Sequence, residues 1–242
     1  MASASEHTEP QTFVVIDFES SGRAIHANGS GDRIFGFGIA IGTYDLETGA
    51  PKIEQSASVG IRPCATPPTT AAGWRELWRE RGWDTGCQQF WLGADDDAKP
   101  SENMQQLNGL FVPTHVHRVV DTYAEAAAIL DTMLHKADKF TLIVDCICFD
   151  PWLASLLLVE HGYEPITHDR AGNYRRGGTY DEDSILMLRN DPSQLLKRSR
   201  ELAVDCVAQH FAGSSVGPHN PRWDAVKILC RVLLAMTALR VM

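Results

Sequence analysis

The sequence predicts an α/β fold: a mixed five-stranded sheet, three antiparallel strands and then parallel ones, flanked by helices. Two observations carry this expectation. Three β-rich runs open the chain, with one short turn among them, as in an antiparallel meander. After them, stretches with helical spacing alternate with apolar runs too short to be helices, in the order β-β-β-α-β-α-β-α-α.

Each element has its own signal. Residues 1–11 are small and polar and read as a flexible tail. Thr12-Phe-Val-Val-Ile-Asp17 reads as a buried strand, and residues 20–34, rich in Ser, Gly and Asn, as a loop. Phe35 to Tyr44 alternates large residues with Gly and Ala and reads as a second strand. Asp45-Leu-Glu-Thr-Gly49 is a turn, and 52–62 makes the third strand. Residues 63–118 form a Trp-rich insertion. It carries Pro63, Pro67, Pro68, Trp74, Trp78, Trp83, Trp91 and the run Asp95-Asp96-Asp97, and is expected to hold one short helix near 73–81 and otherwise irregular chain.

Tyr123 to Ala137 has helical spacing, with Asp121 or Thr122 as N-cap. Phe140 to Cys148 reads as a buried strand. Asp150 as N-cap and Pro151 at the first helical position then start a helix that runs to about Glu160. A polar loop with Arg170, Arg175 and Arg176 comes next, then a strand near 179–188 and a helix near 193–211. A Gly/Ser loop at 213–217 leads to a last helix from Pro221. Residues 12–242 thus read as a single domain.

Composition removes several classes. The formal charge of −9 has the wrong sign for a protein that binds nucleic acid on charge alone, so a nucleic-acid partner would require another source of positive charge. The N-terminus lacks a basic region and an apolar core, so an intracellular protein, cytoplasmic or nuclear and not secreted, is expected. The late apolar run Val232 to Leu239 is far too short to span a membrane. The six cysteines form no CxxC pair and no disulfide framework, which fits a reducing compartment.

The carboxylates carry the chemistry. Asp17 and Glu19 lie two apart at the end of the first strand, so both side chains leave on one side. Such a pair suits a hard divalent cation, which gathers several oxygens. A chain with 31 acids is expected to contain an Asp-x-Glu by chance, and a second copy, Asp45-Leu-Glu47, reads as solvated turn. Context separates them: Asp17 comes after Phe-Val-Val-Ile, where an unpaired carboxylate is costly. Asp150 closes a strand-to-helix junction. In His219-Asn-Pro-Arg-Trp-Asp224, with Asn220 as N-cap, the flanking positions of His219 and Asp224 are those that touch in a hydrophobic staple.

In this order the motifs resemble the DEDDh family of 3′→5′ exonucleases, the DnaQ-like branch of the RNase H-like fold. Asp17-Phe-Glu-Ser-Ser-Gly22 is similar to that family's Asp-x-Glu-Thr-Thr-Gly, Phe149-Asp150 to its Phe-Asp, His219 with Asp224 to its His-x4-Asp, and Asp183-Ser-Ile-Leu to its Asp-Thr-Leu segment. The resemblance covers residues 12–240. Cys146 departs from it, standing where the family has Asn, and so does the length of the Trp-rich insertion.

The resemblance implies hydrolysis of phosphodiester bonds from the 3′ end of single-stranded DNA or RNA. It implies Asp17, Glu19, Asp150 and Asp224 as ligands of two Mg²⁺ or Mn²⁺ ions, which would also supply the missing positive charge. His219 would be the general base. Phe18, Ser20, Ser21 and Gly22 would meet the terminal nucleotide, and Phe90 and Trp91 would either stack on bases or pack as core. Arg170, Arg175 and Arg176 would track a phosphate backbone or simply be solvated. The partner expected is nucleic acid with a free 3′ end and no membrane, with a homodimer admitted. The alternative is a non-catalytic RNase H-like module that binds nucleic acid or a replication partner.

Overall fold

The computed structural model describes residues 10–22, 34–83, 85–93, 101–137, 139–168, 179–181, 201 and 203–240. Most of the N-terminal tail, the Asp95 run, the three loop arginines and Asp183 lie outside the described residues.

The sheet is mixed α/β as expected. Strands β1 (Gln11–Ser20), β2 (Ile34–Tyr44) and β3 (Pro51–Ile61) form the antiparallel meander. β5 (Thr141–Val144) joins β1 in parallel, and β6 (Thr179–Asp181) joins β5 in parallel. One strand is additional to the five expected. β4 (His117–Val120) pairs in parallel with the far edge of β3, giving six strands in the order β4-β3-β2-β1-β5-β6. Four residues at the end of an insertion give too little alternation to reveal a strand.

The insertion is more regular than expected. It folds as α1 (Ala71–Arg81), α2 (Thr85–Leu92) and α3 (Glu102–Gly109). Thr70 and Ser101 cap α1 and α3 through their side-chain oxygens. Trp74, Trp78, Trp83 and Trp91 gather with Leu107, Leu110 and Phe35 of β2 into a core separate from those of the sheet.

α4 (Tyr123–Leu134) starts at Thr122, which makes a capping box with Glu125 and so settles the choice between Asp121 and Thr122. Together with α5 (Asp150–Glu160) it covers the sheet face that holds Val14, Ile16, Phe18, Phe37 and Ile39. The opposite face, with Phe13, Val15 and Ala40, is covered by helix α6 (203–210) and by α7 (Pro221–Arg240). Among the described residues no helix is long and apolar enough to cross a membrane.

Candidate active site

β1 supplies two acids from one side. Side chains alternate along a strand, so Asp17 and Glu19 share the face of Phe13 and Val15, the face that α7 covers. The alternation in β2 explains how α7 comes close. Phe37, Ile39 and Ile41 fill the core beneath α4 and α5, while Gly38, Ala40 and Gly42 leave room on the other side. A Cβ on Gly38 would lie 2.0 Å from the carbonyl oxygen of Pro221, so the first turn of α7 requires glycine there. Gly38 is the cross-strand partner of Asp17. The close approach therefore seats the start of α7, with Asp224, beside the acids of β1.

Asn220 caps α7, its Oδ1 accepting from the amide of Arg222 at 3.1 Å. His219 precedes it with φ of 62°, a left-handed conformation uncommon for a side-chain-bearing residue. Its backbone N–H donates to Asp224 Oδ2 at 2.8 Å. The expected pairing of His219 with Asp224 is thus made through the backbone, and the ring is left to other partners. The ring of Phe90 meets it at 5.1 Å, edge to face.

Asp150 does not cap its helix. Phe149 occupies the cap position, and no side-chain cap bond is made. Asp150 Oδ1 instead accepts the backbone N–H of Phe18 at 3.0 Å, tying the start of α5 to the middle of the Asp17-Phe18-Glu19 motif. Asp45, of the second Asp-x-Glu, accepts from the amides of Glu47 and Thr48 at 2.7 and 2.9 Å, as a turn residue does.

The four acids feel one another. Burial pushes the Asp17 carboxyl well above its usual range, and Asp150, Asp224 and Asp145 push it further. Burial does the same to Glu19, with Asp17, Asp224 and Asp150 adding to it. Asp150 is pushed up to about 7 by burial, against the opposing backbone hydrogen bonds from Phe18 and Cys146. Asp224 is raised by burial, with Lys227 and His219 pulling the other way. A crowded set of buried and partly buried carboxylates either holds protons or holds cations.

The donor set fits a divalent ion. Asp17 Oδ2 is buried and has no hydrogen-bond partner. Glu19, His219 and Asp224 each offer a ligand atom, all within 4.8 Å of one another. Carboxylate oxygens with a single imidazole suit Mg²⁺ or Mn²⁺ better than a soft metal.

The residues expected to meet the substrate divide. Phe18 is buried against Phe37, with ring centroids 5.4 Å apart, so its side chain is closed to a ligand and only its amide acts, on Asp150. Trp91 is 2% exposed and has no face free for a base. Its indole N–H donates to the Ser20 carbonyl at 3.0 Å, which makes it a tether between α2 and the end of β1. Phe90 is 47% exposed at the rim. Ser20 Oγ donates to the Gly22 carbonyl at 2.9 Å, and the Ser21 hydroxyl is buried with no partner.

Two participants escape the sequence reading. Asp145 directly follows β5 and adds negative charge to Asp17 and Asp150. Lys227, one turn beyond Asp224, brings its Nζ to 3.6 Å from Asp224 Oδ1. Its spacing of three from Asp224 is the signal that was available.

No family model matches the sequence, and no curated protein is similar to it in sequence. Among solved structures the chain is similar to a 3′-exonuclease described for 3′-end-specific recognition of the histone mRNA stem-loop. The identity is 11% over 97% of this chain and 84% of the other, with a TM-score of 0.41. It is also similar to a full-length 3′-exonuclease, with 13% identity over 94% of this chain and 82% of the other and a TM-score of 0.40. At such scores the likeness carries no weight for the activity, which has to be read from this chain's own side chains.

Proposed function

We propose that this chain is a metal-dependent 3′→5′ exonuclease of the DEDDh kind, acting on single-stranded DNA or RNA. The support for this reading is the convergence of Asp17 and Glu19 of β1, Asp150 of α5 and Asp224 of α7 on one another, with His219 at the rim. No structural role in the fold requires four mutually repelling acids to meet at one strand end.

Asp17, Glu19, Asp150 and Asp224 would hold two Mg²⁺ or Mn²⁺ ions. When bound, such ions neutralise the cluster, lower the pKa of a bound water and stabilise charge on the phosphate oxygens. His219 accepts the proton of the attacking water at a ring nitrogen. Asp224 fixes the backbone of His219, and Phe90 fixes one edge of its ring. The Ser20–Gly22 turn comes directly after the acids and meets the terminal nucleotide through its backbone. Phe90, exposed beside His219, offers a ring for base contact.

The test is cleavage of 3′-labelled and 5′-labelled single strands of DNA and RNA with Mg²⁺, Mn²⁺ or chelator. Metal-dependent release of mononucleotides from the 3′ end is expected, and a 3′-phosphate should inhibit. Efficient cutting of circular single strands, or cleavage that persists in chelator, refutes the reading.

A further inference from the structure

Helices α6 and α7 pack side by side on the sheet face that holds Val15. At one end the Arg222 guanidinium lies over the Phe211 ring at 4.8 Å. Phe211, Val207 and Ala203, stepping back along α6, line one groove with Trp223, Lys227 and Arg231, stepping on along α7, so the two helices run in opposite directions. Cys206 is next to Val207 in the chain, and Cys230 next to Arg231. There the two thiols meet: the Cys230 S–H donates to the Cys206 sulfur, and neither is in a disulfide. Their surroundings differ. Cys230 is 1% exposed, whereas Cys206 is only partly buried at the edge of the same core. The hydrogen bond favours the thiolate at Cys206 and pulls it from the ordinary 9.0 down to about 7, while the same bond and burial push the Cys230 thiol up. A reachable nucleophile thus touches a concealed thiol that keeps its proton.

We propose that Cys206 and Cys230 form a dithiol site for reversible oxidation by a hydroperoxide, with Cys206 as nucleophile and Cys230 as the thiol that resolves it. The Cys206 thiolate attacks a peroxide oxygen and the O–O bond breaks. The leaving oxygen takes a proton from solvent and departs as water or alcohol, and Cys206 becomes a sulfenic acid. The Cys230 sulfur then attacks the Cys206 sulfur, the S–O bond breaks, and the leaving hydroxide takes the Cys230 proton and departs as water. The two sulfurs lose two electrons to the peroxide bond, so two thiols and one hydrogen peroxide give one disulfide and two waters. Sulfurs already in contact have only to close to about 2.05 Å. The new bond staples α6 to α7, and a dithiol reductant reverses it. The reaction uses none of the acids of the candidate active site and stands whether or not the chain is a nuclease.

The test is hydrogen peroxide on the folded protein in chelator, followed by alkylation, tryptic digestion and mass spectrometry. The expected product joins peptides 201–222 and 228–231, is lighter by two hydrogens than the two reduced peptides and separates in dithiothreitol. It should form roughly tenfold faster than Cys146 or Cys148 is oxidised, because thiolate content outweighs their greater exposure. In Cys230→Ala the reaction should stop at the Cys206 sulfenic acid, which dimedone captures. In Cys206→Ala the buried Cys230 should stay a thiol. Cys206 is partly exposed, so its variant should fold even where the Cys230 variant does not, with circular dichroism as the check. Cys206 and Cys230 still reduced after Cys146 and Cys148 have been oxidised overturns the site. So does a cross-link that forms only in urea, or Cys230 oxidised as fast in Cys206→Ala as in wild type.

Discussion

Around Phe35 the rings of Trp74, Trp78, Trp83 and Trp91 lie 5.4 to 6.1 Å away, mostly edge to face. The indoles of Trp74 and Trp91 find acceptors in Asn108 and Ser20, and Trp83 is the one indole of this group with an unpartnered buried N–H. At the end of β1 the pattern reverses. Carboxylates crowd together, Asp17 Oδ2 and the Ser21 hydroxyl are buried without partners, and the acids have raised pKa values. The insertion gains free energy from the surface it buries, whereas the acid cluster costs free energy until something neutralises it. Polar groups left unsatisfied in a fold that satisfies its neighbours mark the place where a ligand belongs. The two regions meet twice, at Phe90 with His219 and at Trp91 with Ser20. A rigid aromatic block thus props a strained polar one.

The largest expected effect removes the acids. Asp17→Asn and Asp150→Asn should each abolish nearly all metal-dependent cleavage while the protein stays folded. Relief of repulsion should hold the metal-free melting temperature level or raise it. A Trp78→Ala control in the insertion should do the opposite, lowering stability by about 3–5 kcal/mol because a fully buried ring is lost. Cleavage within a few-fold of wild type in both Asn variants would show that the crowding has no catalytic purpose.

His219→Ala comes next. Turnover should fall about 10²- to 10⁴-fold, the usual worth of a positioned proton acceptor. Metal affinity should change much less, because the four carboxylates remain. Isothermal titration with Mn²⁺ separates the roles. A loss of metal binding as large as the loss of turnover would make His219 a ligand, as its nearness to Glu19 and Asp224 permits.

Acid and metal should act alike on the cluster. The folded-state pKa of Asp150, about 7, lies above the ordinary 3.8. The folded protein therefore binds the extra proton between those values. Stability from this group is fully present below about pH 4 and is lost as pH rises through about 7. The metal-free melting temperature of wild type relative to Asp150→Asn should accordingly drop from pH 5.5 to pH 8. Saturating Mn²⁺ should restore it at pH 8. If the difference between the two proteins does not vary with pH, the Asp150 carboxyl does not titrate across this range in the folded protein.

The same division separates the features legible in the sequence from those that were not. The acids and the meander are local patterns: Asp17 and Glu19 are on one side because a strand alternates, and Asn220 caps because Pro221 beside it favours a helix start. Even the glycines of β2 were visible as alternation, though not that α7 would lie on them. Asp150 was legible as a candidate ligand, but its hydrogen bond was not: an Asp before Pro at a helix start satisfies capping rules, and the fold offers it the Phe18 amide instead. The fate of Phe90 and Trp91, adjacent in sequence, was undecidable locally. α2 turns one ring to the rim and the other into a core that includes the distant Phe35 of β2.

The smallest expected effect tests the tether between the two regions. Trp91→Phe keeps an aromatic ring in the insertion core, removes the N–H that Ser20 accepts at 3.0 Å and shrinks the buried ring. The orphaned buried carbonyl should cost about 1–3 kcal/mol. Trp78→Phe makes a comparable change in the same core without touching Ser20, and so controls for the smaller ring and the lost indole contacts. If the insertion serves only stability, both variants should melt earlier and cleave equally well below their melting temperatures. If it also props the acids, Trp91→Phe alone should lower turnover several-fold, since Ser20 is next to Glu19 and a β-bulge already separates the two. The decisive reading is turnover per folded molecule at 25 °C, with metal affinity measured alongside. Equal turnover in the two variants would reduce the insertion to an aromatic anchor with no hold on the site.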